Sequence, residues 1–124
     1  MDSFQIIGID GGATKVSAWE IEYNGSTFSL GQAHYAEQYI NQNFFNSSFT
    51  PVNIQTQLSE MNMNNIQLTG NEIKQGVVII QTFATVINRI FSDKPILLGM
   101  GMPGLKSADK RGIVAMANGP RIPH

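Results

Sequence analysis

The chain has 124 residues, of which 42% are hydrophobic, carries a formal net charge of -1 and contains no cysteine. This length allows one domain with a hydrophobic core, and the absence of cysteine excludes disulfides, thiolate metal sites and a cysteine nucleophile. The near-zero charge and the lack of a long apolar run do not favour nucleic acid or membrane binding, and no signal-peptide pattern precedes the first apolar segment, so the sequence predicts a cytoplasmic protein.

Residues 1–36 predict a three-stranded antiparallel meander. Residues 4–10 form an apolar run that ends at an acid and two glycines, as a buried strand does before a tight turn. Residues 15–23 are rich in strand formers, and Asn24-Gly25 is a strong signal for a hairpin turn. Residues 27–35 alternate apolar and polar side chains, which predicts a half-buried third strand.

Residues 37–70 form a segment rich in asparagine and glutamine that differs in composition from the strands before it. A long loop or an insertion within the domain is one interpretation of this segment. The other is a short helix that starts at Thr50-Pro51 and carries Ile54, Leu58 and Met61 on one face.

A long helix is predicted after this segment. Thr69 and Glu72 match a capping box, in which each of the two side chains accepts a hydrogen bond from the backbone N–H of the other residue. Apolar residues then recur at spacings of four and three, which predicts a buried stripe about five turns long. This stripe consists of Ile73, Val77, Ile80, Ala84, Ile87 and Phe91. Lys94-Pro95 ends the helix.

Two further strands are predicted towards the C-terminus, a buried one at residues 96–101 and another at residues 112–117, with a turn at Pro103-Gly104 between them. A strand that follows a helical crossover is normally parallel to a strand already in the sheet, so we expect residues 96–101 to pair with the first strand. Asp10 and the glycine turn would then lie at adjacent carboxyl ends, where open α/β sheets bind ligands.

The sequence Asp-Gly-Gly-Ala-Thr-Lys after the first strand is a candidate phosphate site. Gly11 and Gly12 allow backbone N–H groups to approach an anion, while Thr14 adds a hydroxyl and Lys15 a cation. Asp10 is positioned to hold Mg²⁺ directly or through water. The alternative is an ordinary hairpin turn that begins with Asp-Gly.

Residues 99–104 match the pattern Gly-x-Gly-x-x-Gly but do not predict a dinucleotide site. That fingerprint needs a helix at the third glycine and an acid about 20 residues later, whereas residues 105–111 carry no apolar stripe and no acid follows Asp109. A tight turn that brings the backbone close to a ligand fits better. Asp109 and Gly112 are expected in a turn between strands. Basic residues near the C-terminus are expected on a solvated face: Lys106, Lys110, Arg111 and Arg121.

Together these motifs resemble those of the ROK family of sugar kinases and sugar-responsive repressors. Residues 8–15 resemble the family's first phosphate loop, and residues 98–104 are similar to its Pro-Gly turn. The family's later spaced pattern is matched in outline by Asp109, Gly112, Val114 and Asn118. Gly11 and Ala13 depart from the phosphate loop, as in the related N-acetylglucosamine kinase and BadF-type ATPase branch. If residue 13 required a positive φ, its methyl group would cost about 1 kcal/mol.

The resemblance implies an α/β fold of the ribonuclease H-like, actin-like ATPase type, with a three-stranded antiparallel meander followed by a helix and a parallel strand. Residues 1–124 would be the N-terminal domain of such a protein, truncated before its adenosine-binding part. The aspartate that acts as general base in the family would lie beyond His124. No catalytic residue is therefore assigned within the chain, and the chain alone is expected to be inactive.

The resemblance also implies an ATP-dependent carbohydrate kinase that phosphorylates a hexose or an N-acetylhexosamine with ATP and Mg²⁺, and that forms a homo-oligomer. The residues expected at the phosphates are Gly11, Gly12, Thr14 and Lys15, together with Asp10, which would also hold the metal. The residues expected at the sugar are Pro103, Gly104 and Asn118. The alternatives are a sugar-sensing regulator of the ROK type and a relative of the BadF-type ATPases and N-acetylglucosamine kinase.

Overall fold

A computed structural model describes residues 4–123 as a small α/β domain with a mixed sheet of four strands and two helices. The elements are β1 (Gln5–Gly11), β2 (Lys15–Tyr23), β3 (Phe28–Gln38), a 3-10 turn (Tyr39–Asn41), α1 (Ile54–Glu60), α2 (Gly70–Ile90), β4 (Ile96–Gly101), β5 (Leu105–Lys106) and β6 (Ile113–Ala115). Within residues 4–123, neither helix has the length and apolar character needed to cross a membrane.

The sheet has the strand order β3-β2-β1-β4. β1, β2 and β3 form the predicted antiparallel meander. The turn between β2 and β3 begins at Asn24, whose side-chain oxygen accepts hydrogen bonds from the backbone N–H groups of Ser26 and Thr27. β4 pairs parallel with β1, as predicted from the helical crossover, and Asp10 lies beside Gly101 in the register. The two glycine turns therefore start at neighbouring carboxyl ends.

Helix α2 covers one face of the sheet and forms the core with it. Odd-numbered residues of β1 and even-numbered residues of β2 point to the helix, because successive side chains of a strand alternate between faces. The buried core residues of these three elements are Ile7, Ile9, Val16, Ala18, Val78, Ile79, Phe83, Val86 and Ile90.

The apolar stripe predicted to be buried on α2 lies mostly in solvent, so that prediction was wrong. Ile73 is 52% exposed and Ile80 is 55% exposed. The helix packs through a second stripe that includes the polar residues Glu72, Gln75 and Thr82, each of which is buried and hydrogen-bonded. A polar side chain is buried at low cost only when it has a hydrogen-bond partner, and the sequence does not show these partners. The packed stripe therefore resembles a solvent-exposed stripe in the sequence.

Two strands are more exposed than the sequence predicts. β3 was expected to be half-buried, yet Phe28 and Leu30 are each 66% exposed. β4 was expected to be buried, yet Leu97 is 59% exposed and Met100 is 57% exposed. Both strands are edges of the sheet. Phe28, Leu30 and Leu97 lie on the face opposite α2, which no helix covers within residues 4–123, whereas Met100 lies on the α2 face beside Ile9.

Arg121 was expected on a solvated basic face, but its side chain is only 2% exposed. Its guanidinium donates from Nε and one terminal nitrogen to the two carboxylate oxygens of Glu72, at 2.9 and 3.0 Å, and from the other nitrogen to Glu60 at 2.8 Å. The capping box is therefore half formed, because Thr69 Oγ1 accepts from the Glu72 N–H while the Glu72 carboxylate binds Arg121 instead of the Thr69 backbone. This ion pair holds the C-terminal segment on α2.

Candidate functional site

A cavity of about 920 Å³ opens at the carboxyl ends of β1 and β4. Five parts of the chain form its walls: the first glycine turn, the second glycine turn, the asparagine- and glutamine-rich segment, helix α2 and residues 115–120. Five of the residues predicted for a ligand site line it, namely Gly11, Gly12, Pro103, Gly104 and Asn118.

The first turn has backbone donors available for an anion. The Gly12 N–H bonds the Lys15 carbonyl at 2.9 Å, which closes the turn. Within residues 4–123, the N–H groups of Ala13 and Thr14 donate to no protein acceptor. Ala13 does not have a positive φ, so the alanine fits this turn without strain.

Tyr39 fixes the shape of this turn, although no local pattern in the sequence marks Tyr39 as part of the site. Its hydroxyl donates to the Gly12 carbonyl at 2.8 Å, and its own N–H donates to the Thr14 carbonyl at 3.0 Å. Burial, with a smaller contribution from the negative charge of Asp10, raises the pKa of the Tyr39 hydroxyl. The phenol therefore stays protonated at neutral pH and remains a donor to the turn.

Gly11 is required by packing beneath the turn. A Cβ at this position would lie 2.9 Å from Cζ of Phe83 and 3.3 Å from the Gly101 carbonyl oxygen. The Phe83 ring of α2 therefore packs directly against the backbone of β1, and this contact accounts for the glycine at position 11.

The charged residues of the first turn lie outside the cavity lining. Asp10 is exposed and belongs to the sheet face opposite α2, because its neighbours Ile9 and Gly11 are buried against the helix. Thr14 and Lys15 are also exposed. Within residues 4–123, no group of three or more histidine, cysteine, aspartate or glutamate side chains is placed to hold a metal ion.

The second turn is shaped by packing against β6. Gly104 has a φ of 103°, and a Cβ there would lie 2.7 Å from Cγ2 of Ile113 and 2.9 Å from the Ala115 carbonyl oxygen. The Lys106 ammonium donates to the carbonyls of Met102 and Gly104 at 2.8 and 3.0 Å. Gly104 thus contributes backbone to the cavity wall, and a side chain there would strike β6.

We expect Gly104→Ala to lower the free energy of unfolding by about 2 kcal/mol, because an L-residue is strained at this φ and the added methyl meets β6 backbone. Urea denaturation would measure the change. Gly70→Ala, at the start of α2 where a Cβ meets nothing within 4 Å, is the matched control and should not be destabilising. Equal stability of the two variants would contradict the packing role of Gly104.

The asparagine- and glutamine-rich segment forms one wall of the cavity. It contains the 3-10 turn and α1, so the short helix exists, but its N-cap is Asn53, whose side chain accepts from the Gln55 N–H, and the helix starts after Thr50-Pro51. Ile54 and Leu58 line the cavity, while Met61 is the C-cap residue that follows the helix and does not line it. The segment is therefore an integral part of the domain.

Two buried glutamines fix this wall to the rest of the domain. Gln57 donates to the Met116 carbonyl at 3.0 Å and accepts from the Met116 N–H at 2.7 Å. Gln75 of α2 donates to the Phe44 carbonyl at 2.7 Å and accepts from the Asn46 N–H at 3.2 Å. Sequence reasoning missed both residues, because nothing local distinguishes these glutamines from the exposed ones around them.

The turn around Asp109 agrees with its prediction. Asp109 accepts from the Ser107 hydroxyl at 2.6 Å and from the Arg111 N–H at 3.0 Å, between β5 and β6. The Ser107 hydrogen bond is the main cause that lowers the pKa of the Asp109 carboxyl. Asp109 is fully engaged in the turn and does not line the cavity.

The cavity lining can hold a polar, uncharged ligand. Phe45 and Phe49 supply apolar rings, while Asn46, Ser47 and Asn118 supply polar side chains. The lining residues include no carboxylate, imidazole or amine within residues 4–123. This part of the chain therefore offers positions for binding and orientation, and its only titratable side chain at the cavity is the phenol of Tyr39.

Comparison of the chain with family models, with curated proteins and with solved structures returned no match in any of the three. The assignment of the site therefore depends on the geometry of the residues themselves.

Proposed function

We propose that this chain is the phosphate- and sugar-binding part of an ATP-dependent carbohydrate kinase of the ROK type, with the actin-like ATPase fold. One observation carries the proposal. Two glycine turns that are far apart in the sequence start at the paired carboxyl ends of β1 and β4 and line one cavity together with Asn118. Ligands of open α/β sheets bind at such strand ends.

The first turn supplies the phosphate contacts in this proposal. The N–H groups of Ala13 and Thr14 have no protein acceptor within residues 4–123, and Lys15 and the Thr14 hydroxyl are exposed beside them. Successive N–H groups in a turn form a concave site for an anion. Asp10 is the residue that would hold Mg²⁺, since that ion commonly takes one carboxylate with water and phosphate oxygens. Mg²⁺ would neutralise charge on the transferred phosphate.

The cavity supplies the sugar contacts. A hexose has apolar ring faces that can pack on Phe45 and Phe49, and hydroxyl groups that can bond the side chains of Asn46 and Asn118. The lining of residues 4–123 has no carboxylate to accept the proton of a sugar hydroxyl. In this proposal the chain binds and orients both reactants, and the general base comes from elsewhere in the catalytic protein.

A sugar-sensing regulator is the second candidate, and the same uncharged lining favours it. A sensor has to bind a sugar without transferring phosphate to it, so it needs the cavity and not the anion site. The two functions therefore differ in whether the N–H groups of Ala13 and Thr14 bind phosphate.

We expect titration of the ¹⁵N-labelled chain with tripolyphosphate to shift the amide signals of Ala13 and Thr14. Binding should be weak, with a dissociation constant near the millimolar range, because the donors face water on one side. N-acetylglucosamine should instead shift the signals of Asn118 and Asn46 at the cavity. Both effects together support the kinase, and a sugar effect without a phosphate effect supports the sensor.

Lys15→Ala should weaken tripolyphosphate binding about fivefold, which corresponds to about 1 kcal/mol for one exposed cation. Lys110→Ala removes an exposed cation of the β5–β6 turn and serves as the control. Equal weakening by both changes would indicate attraction by net charge alone and would contradict a phosphate site at the first turn.

A further inference from the structure

Tyr39 connects the cavity to the first turn. It lies directly after β3, and the register that pairs Gln38 with Lys15 places it beside the end of that turn. Its side chain is only 8% exposed and packs in the hydrophobic core, and it lines the cavity together with Gly12 and Ala13. One side chain therefore borders the core, the cavity and the turn.

The Tyr39 hydroxyl sets the direction of the Ala13 N–H. It donates to the Gly12 carbonyl at 2.8 Å. That carbonyl and the Ala13 N–H belong to one planar trans peptide group, in which the C=O and N–H bonds point in opposite directions. Because the phenol holds the carbonyl on its own side of the turn, the Ala13 N–H points to the other side, where it has no protein acceptor within residues 4–123.

A second hydrogen bond from Tyr39 holds the other end of the turn. Its backbone N–H donates to the Thr14 carbonyl at 3.0 Å, which fixes the peptide group between Thr14 and Lys15. The peptide group between Ala13 and Thr14 carries the second free N–H, and it lies between the two groups that Tyr39 holds. One residue thus orients both backbone donors of the proposed phosphate site.

The hydrogen bond from the phenol also makes the Ala13 N–H a stronger donor. A donor at a peptide carbonyl draws electron density from the nitrogen to the oxygen, so the N–H of the same group becomes more positive. The phenol oxygen keeps lone pairs that accept a hydrogen bond while its proton is donated to Gly12. A ligand hydroxyl that donates to this oxygen from the cavity therefore strengthens the bonds that follow, since consecutive hydrogen bonds polarise one another.

We propose that Tyr39 is a positioning residue that couples the two halves of the site, so that a sugar in the cavity strengthens phosphate binding at Ala13 and Thr14. The series of hydrogen bonds runs from a sugar hydroxyl to the Tyr39 oxygen, then to the Gly12 carbonyl and through the peptide group to the Ala13 N–H. By linkage, phosphate at the turn strengthens sugar binding by the same factor. This inference rests on the proposed function and adds that its two ligands bind cooperatively.

Titration of the ¹⁵N-labelled chain with tripolyphosphate, with and without N-acetylglucosamine at saturation of the Asn118 signal, measures the coupling. We expect the sugar to lower the dissociation constant of tripolyphosphate about fivefold, at the low end of coupling between sites. Tyr39→Phe should raise that constant about fivefold without sugar, as expected for one lost hydrogen bond, and should remove the effect of the sugar. Tyr35→Phe is the matched control and should keep the full effect, because Tyr35 is 40% exposed and does not line the cavity.

The natural chain gives a second measurement that does not depend on a variant. The ¹³C signal of the Gly12 carbonyl should move downfield when N-acetylglucosamine binds, because the hydrogen bond from the Tyr39 hydroxyl becomes stronger. This signal decides the question if Tyr39→Phe does not fold by circular dichroism. An unchanged Gly12 signal at saturating sugar would then overturn the coupling.

The outcomes separate this inference from the proposed function. If the natural chain binds tripolyphosphate and sugar independently of each other, or if Tyr39→Phe keeps the effect of the sugar, the coupling through Tyr39 is wrong and the proposed function stands. If tripolyphosphate does not shift the Ala13 and Thr14 signals of the natural chain at all, the phosphate site of the proposed function fails and the coupling fails with it.

Discussion

Glu72→Ala should be among the most damaging single substitutions in this chain, with a loss of about 3–5 kcal/mol in the free energy of unfolding. The carboxylate of Glu72 is fully buried and accepts three hydrogen bonds from Arg121, two from the guanidinium and one from the backbone N–H. Those side-chain hydrogen bonds are the main cause that raises the pKa of Arg121. Without Glu72, the Arg121 side chain, which is 2% exposed, keeps only Glu60 as an ion-pair partner among residues 4–123.

A double substitution separates the cost of a broken pair from the net contribution of the pair. Glu72→Leu with Arg121→Met removes both charges and keeps apolar volume, and it should be within about 1–2 kcal/mol of the natural chain. Chemical denaturation of the single and double variants measures the difference. If the single and the double variants lost the same free energy of unfolding, the ion pair itself would stabilise α2. That result would contradict the expectation that the unpaired charge causes most of the loss.

The parts of the fold that could be predicted from the sequence are those set by local chemistry. Asn24-Gly25 predicted the hairpin between β2 and β3, Thr69 predicted the start of α2, and the helical crossover predicted that β4 is parallel to β1. Each signal acts over a few residues or follows from the handedness of chain connections, so no knowledge of the packed core was needed.

The packing of α2 could not be predicted, because the helix has two apolar stripes and the sequence does not show which one contacts the sheet. The stripe with Glu72 and Gln75 is buried only because Arg121 and the loop before α1 provide hydrogen-bond partners from distant positions. For the same reason the burial of Gln57 could not be predicted, because its hydrogen-bond partner is the distant backbone of Met116. A buried polar residue cannot be recognised in a sequence until its partner is known.

The candidate site was predicted in part. Gly12, Gly104 and Asn118 were expected together and do line one cavity, because parallel pairing of β1 and β4 brings their turns to one edge. Asp10 was expected beside them, but strand alternation directs it to the sheet face opposite α2. The wall formed by α1 was not predicted as part of the site, since residues 37–70 lack the charged and glycine-rich patterns that mark ligand sites.

Gln57→Leu tests whether this wall depends on one side chain. Gln57 is fully buried and bonds three backbone groups, the N–H and carbonyl of Met116 and the carbonyl of Val52 at 2.6 Å. Leucine has a similar volume but leaves all three groups without a partner, and each buried unsatisfied group costs about 1–3 kcal/mol. Partial solvation of the three backbone groups lowers their summed cost, so we expect a loss of about 3–4 kcal/mol in the free energy of unfolding.

The loss should be accompanied by opening of the cavity wall. Hydrogen exchange of the Met116 N–H should become faster by more than the global loss of stability explains, because α1 separates from β6 before the domain unfolds. Binding of N-acetylglucosamine at Asn118 should be lost in the same variant. Gln55→Leu, on the exposed side of α1, is the matched control and should change none of these measurements. If Gln57→Leu leaves Met116 exchange and sugar binding unchanged, residues 54–60 do not form the wall through Gln57, and the sugar assignment of the cavity loses its support.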